Sequence, residues 1–92
     1  MNIGLLTLEI HIPEAHSLKE KRFYLRSLKD KLRRLNVSVA ECEHQDLWQR
    51  STIGVVAVAS DGGVLEQTLQ SVLAEAEEVL ERNLAQYQIE YL

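Results

Sequence analysis

Apolar and polar side chains alternate from Asn2 to Ile12. Leu6, Leu8, Ile10 and Ile12 fall on one face; Ile3, Leu5, Thr7, Glu9 and His11 fall on the other. A period of two in leucine and β-branched residues predicts a strand with the even face turned inward. Pro13, which lacks an amide hydrogen, ends it. From Ser17 the period changes. Leu18, Leu25, Leu28, Leu32 and Leu35 recur at helical spacing and form one core-facing stripe. Ser17 and Glu20 have the S-x-x-E spacing of a capping box, in which each side chain accepts from the other residue's free amide. Asn36 tolerates the left-handed conformation that closes a helix. Lys21 interrupts the leucine stripe, so its ammonium must either reach the helix end or meet an acidic partner.

Val37 to Cys42 predicts a second strand. Ile53 to Ala59 (IGVVAVA) is apolar enough for a third, central one. The polar stretch between them, ECEHQDLWQRS, predicts a hairpin whose loop is packed, since it holds the one tryptophan, Trp48. Ser60 to Gly63 is a turn in which Asp61 can cap a second helix. That helix buries Leu65, Leu69, Val72, Leu73, Ala76, Val79 and Leu80, with glutamates opposite. Alternation returns from Gln86 to Tyr91 as a fourth strand. The order β-α-β-β-α-β predicts one α+β domain over residues 1–92, a ferredoxin-like split-βαβ sandwich. Its four-stranded antiparallel sheet has order 4-1-3-2, with both helices on one face. The other face, carrying Ile3 and Leu5, is left partly open, and two edge strands need protection. A homodimer through that face, or through the edge bearing Tyr87, Ile89 and Tyr91, is therefore expected.

Charge adds an asymmetry that hydropathy does not show. Residues 17–34 hold eight of the ten basic residues against two acids, a net +6. The rest of the chain carries two basic and twelve acidic residues, a net −10. Lys19, Arg22, Arg26, Lys29 and Arg33 step by three and four residues, making a basic stripe beside the leucines. No apolar run approaches the ~20 residues of a membrane span. Glu9 and His11 break the apolar opening segment, so no signal peptide or membrane contact is expected. The lone Cys42 excludes an internal disulfide and suits the reducing cytoplasm.

SLKEKR (Ser17–Arg22), NVSVAE (Asn36–Glu41) and QDLWQRSTIGVV (Gln45–Val56) together resemble the YlxP-like family, small bacterial proteins grouped as a domain of unknown function. The resemblance covers most of the chain. It implies the ferredoxin-like fold and, from the genes among which family members sit, a setting in translation and ribosome maturation. It implies no established activity and so no catalytic residue. The positions matching the family's pattern are Ser17, Lys19, Lys21, Arg22, Asp46, Trp48, Gln49 and Arg50.

Three readings of function follow. The leading one is an RNA-binding accessory factor of the ribosome or its maturation. It would contact phosphates through Lys19, Arg22, Arg26, Lys29 and Arg33, with Arg50 as a further basic contact. The second is an interaction module whose basic helix docks on an acidic surface, such as a glutamate-rich second helix. The third is a merely solvated helix face. Base stacking on the sheet is not expected, because the first and third strands offer it no aromatic side chain. Asp46, Trp48, Gln49 and Arg50 admit two roles: gripping a nucleotide, or a structural one in which Trp48 caps the core and Arg50 pairs with Asp46 or Glu41. A lone tryptophan in a small domain favours the latter. Cys42 and His44 sit two apart on one predicted strand face, with Asp46 beyond. That is short of the three or four ligands of a zinc site, so no metal or other cofactor is expected. The Gly62-Gly63 turn is read as a capped turn, because Asp61 already occupies the place of an anion. With no nucleophile beside a base, no enzymatic activity is expected.

Overall fold

A computed structural model describes residues 1–92. Four strands and two long helices follow in the expected order: β1 (Asn2–His11), α1 (Leu18–Arg33), β2 (Ser38–Glu43), β3 (Arg50–Ala59), α2 (Gly62–Leu80) and β4 (Leu84–Tyr91), with one 3₁₀ turn (Glu81–Asn83) before β4. The sheet is antiparallel throughout, and its order β2-β3-β1-β4 is the expected 4-1-3-2 read from the other edge. The even face of β1 is buried with Val55 and Ile53 of β3 beside it, and both helices cover that side. Leu25, Leu28 and Leu32 of α1 and Leu65, Leu69, Val72 and Ala76 of α2 complete the core. No helix is long and apolar enough to cross a membrane.

Caps behave largely as their residues dictate. Asp61 accepts from the Gly63 amide at 3.1 Å, and Asn36 takes φ 61 just past α1. Ser17 accepts from Glu20 N at 3.1 Å, but the reciprocal bond is shifted: Glu20 accepts from His16 N at 2.8 Å rather than from Ser17. The box therefore reaches one residue further back and fixes the backbone of His16.

Element boundaries differ where polar residues hide a strand. β3 begins at Arg50, three residues before the apolar run, because its hydroxyls find carboxylate partners on the neighbouring strands. Ser51 donates to Glu41 at 2.7 Å and Thr52 to Glu9 at 2.5 Å. Both residues are buried. β4 likewise starts early, at Leu84, and a register shift opposite Glu9/Ile10 then skips Ala85. Tyr87, Ile89 and Tyr91 pair with Leu8, Leu6 and Gly4, which puts them on the helix-covered side of the sheet, at its edge. The open face carries Ile3 and Leu5, paired with Val58 and Val56.

Candidate functional site

The helical spacing that buries the leucines of α1 presents its cations to one side. Arg22, Arg26, Lys29 and Arg33 line a single cleft of about 370 Å³ between α1 and the edge strand β2. Lys19 stands exposed at the start of the same stripe but outside that cleft. Two acids border it. Asp30 reaches Arg33 at 3.4 Å in a pair that is half-exposed on both sides. Glu41 is turned toward another cation. The chain's ion pairs are Arg33–Asp30 and Lys21–Glu41, so no glutamate of α2 neutralises the stripe. The second helix of the same chain is thus not its partner.

Lys21 resolves its position in the leucine stripe by meeting an acid. It is fully buried, with Nζ 2.9 Å from Glu41 Oε2. The ammonium also donates to the carbonyl oxygens of His44 at 2.5 Å and Leu47 at 2.6 Å. Those three bonds are all that an ammonium can donate. Lys21 is therefore an internal tie between α1 and the β2–β3 loop, with nothing left to offer a ligand.

The loop it holds forms a second cleft, of about 540 Å³. Trp48, Arg50 and Asp46 line it, and so do two histidines that sequence spacing gave no reason to join to them, His11 and His16. The expectation that Trp48 caps the core is wrong: the residue is 53% exposed and stands outside the core cluster. Arg50 makes no ion pair with Asp46 or Glu41 either, since Glu41 is held by Lys21 and Ser51. Gln49 takes the structural part instead. Its amide donates to the carbonyls of Pro13 at 2.9 Å and Ala15 at 3.1 Å, and its own carbonyl accepts from Ile12 N at 2.8 Å. His11 lies directly opposite Arg50 in the β1–β3 ladder. The signal for that pair was in the sequence, but only the extension of β3 back to Arg50 makes it readable.

Cys42 and His44 do not share a strand face. The ladder shifts register between Glu41 and Glu43, and His44 lies past β2 with φ 65, turning the chain away. Cys42 Sγ instead stands over Gly54, close enough to lie 2.9 Å from a methyl placed there. No group of three or more His, Cys, Asp or Glu side chains converges as a metal ion would need.

Known proteins place the chain as follows. The family model described as "Protein of unknown function (DUF503)" matches residues 3–89. "Uncharacterized protein YlxP" of Bacillus subtilis (strain 168) is 42% identical over 73 residues, which span 78% of this chain and 79% of that one. Among solved structures, the de novo designed protein Foldit4 superimposes with a TM-score of 0.58 at 10% identity, over 99% of this chain and 94% of that one. A dimeric ferredoxin-like protein from an uncultured marine organism gives 0.53 at 14% identity, over 99% and 86%. At such identities the likeness is one of fold alone.

Proposed function

This chain belongs to the YlxP-like family of proteins of unknown function (DUF503), and from that premise we propose that it is a non-enzymatic, cytoplasmic RNA-binding factor serving the ribosome or its maturation. The observation that carries this reading is the cleft between α1 and β2. Four cations share it, and only Arg33 has an acidic partner. Arg22, Arg26 and Lys29 are unpaired and suited to phosphates, which position a nucleic acid without reading its sequence. The open sheet face supports the helix side as the contact surface by its own chemistry: Glu9, Gln88 and Glu90 sit there among aliphatic side chains. That central part of the face would repel a phosphate backbone, whereas His11 and Arg50 stand at its far end, beside the β2–β3 loop.

The test is the salt dependence of binding to ribosomal RNA, measured from about 50 to 200 mM salt. Lys19, Arg22, Arg26, Lys29 and Arg33 are changed to glutamine singly and together. Each lost phosphate contact should lower the log–log slope by about one unit. If the wild type binds no RNA at low salt, or the fivefold variant binds equally well, the proposal fails. Loss of self-association in that variant, with RNA binding absent throughout, would point to a basic helix that docks on an acidic protein surface.

A separate observation favours self-association through the sheet. Val56 is 43% and Val58 61% exposed on the open face, beside Leu5 and Ile3. A contiguous aliphatic strip of this kind on a small domain marks an interface. The dimer would leave the α1 cleft free.

A further inference from the structure

We propose that the cleft at the β2–β3 loop is a second, independent binding site, one that takes a nucleoside monophosphate group. Its base would lie against Trp48 and its phosphate against Arg50, with His11 and His16 as further donors. The group can arrive as a free nucleotide or as the terminal nucleotide of an RNA. The site goes beyond the α1 cleft and shares no lining residue with it.

Trp48 sits on a firmly held stretch of the loop. Its neighbours on both sides are tied down: the Leu47 carbonyl by the Lys21 ammonium, and Gln49 by three hydrogen bonds to the segment between β1 and α1. The backbone at Trp48 is thus fixed, yet the indole stays half in solvent. A tryptophan that served packing would be turned inward. One presented on an immobilised loop offers a flat aromatic surface with little ordering left to lose on binding. Base–aromatic stacking is the interaction that such a surface favours.

The charges say which kind of aromatic ligand. His11 and Arg50 face each other across the ladder, which puts their Cβ atoms about 5 Å apart. Arg50 has no carboxylate within ion-pair distance. Arg50 thus presents a guanidinium with no carboxylate paired to it, flanked in the same cleft by two imidazoles that can each donate. A phosphate supplies the acceptor, and the guanidinium fork matches it. Asp46 has the opposite preference. Its carboxylate repels a phosphate and accepts from the N–H groups of a base, which sets the ligand's direction in the cleft. The lining side chains are mostly exposed, so this is a shallow surface cleft of about 540 Å³ that leaves one side of a bound ligand in solvent.

Trp48 is the chain's one tryptophan, so its fluorescence reports this cleft and nothing else. Wild-type protein is titrated with adenosine and guanosine 5′-monophosphates, with adenosine alone as the control. The expected result is saturable quenching by the nucleotides, about tenfold weaker for adenosine and about tenfold weaker in Arg50→Gln. Calorimetry on Trp48→Leu should show binding lost with an unchanged thermal midpoint, which separates loss of the site from loss of the fold. The fivefold glutamine variant of α1 should bind as the wild type does, whether or not the α1 cleft proves to bind RNA. A short RNA oligomer with a 5′-phosphate that binds more tightly than the free nucleotide identifies an RNA end as the source. An oligomer that fails to bind while the nucleotide succeeds identifies the free nucleotide. No saturable quenching by either nucleotide up to about 5 mM overturns the proposal. So does an Arg50→Gln titration identical to the wild type, or loss of binding in the α1 variant.

Discussion

A buried lysine is stable only when each of its donors is engaged, and Lys21 satisfies that condition with one carboxylate and two carbonyls. Replacing it by methionine leaves Glu41 without its cation and two loop carbonyls without a donor. The expected loss is about 3 kcal/mol in urea unfolding. Lys21→Met combined with Glu41→Leu should lose less than the sum of the two single changes, because the pair is coupled. Additive losses would show that the pair does not matter. The sequence exposed this residue as a conflict, a cation among leucines, and left both resolutions open. It could not say which acid answers, since Glu41 is on another element. Trp48 was misread for the complementary reason: residue type alone cannot tell an aromatic ring that fills a core from one that is presented by a tied loop. Glu14 shows a milder effect in full solvent. Hydrogen bonding by its own backbone amide, and then by the Asn83 amide at 2.9 Å, holds its carboxyl below the ordinary value of 4.5. Arg82 and His11 add smaller pulls in the same direction. A lowered acid contributes stability above the unfolded value, and that contribution fades as pH falls through the folded one. The stability advantage of wild type over Glu14→Gln should therefore be present at about pH 6 and shrink progressively as the pH falls below 4.5. A gap that is constant with pH would contradict this.

At the level of elements, periodicity placed both helices and all four strands, and it failed only at their ends. Ser51 and Thr52 look like loop residues until the glutamates that accept from them are known. Those glutamates are ten and forty-three residues away in the chain, too far for any local pattern to show. Gly4 was equally silent. It lies where α2 crosses β1, and a methyl group there would fall 2.6 Å from Leu69 Cδ1 and 3.5 Å from both Leu65 methyls. Leu69 is fully buried in the core cluster. Gly4→Ala should cost about 1–3 kcal/mol by overpacking, measured by chemical denaturation. A neutral result would mean that α2 rides more loosely on the sheet than the structure shows.

For the whole molecule, the element order alone specified the topology, because few arrangements of β-α-β-β-α-β in under 100 residues bury both helix faces. The open side of the sheet was legible as an apolar strip and the α1 cleft as a basic stripe on one helix, whereas the cleft at the β2–β3 loop was not, since it joins His11 and His16 to residues 46–50. If the strip pairs copies of the protein, light scattering at tens of micromolar should give the mass of a dimer, and Val56→Lys with Val58→Lys should return it to a monomer. A monomeric wild type would refute the pairing. The position of β4 has a consequence for synthesis. It is the last of these elements to leave a ribosome, yet it pairs with β1, the first. Until Leu84–Tyr91 emerges, one whole edge of the central strand offers unpaired amides and carbonyls to any neighbouring nascent chain. Synthesis that stalls before residue 84 should leave a product that recruits β4 from a complete copy. Stalled and full-length chains would then be recovered together in one particle.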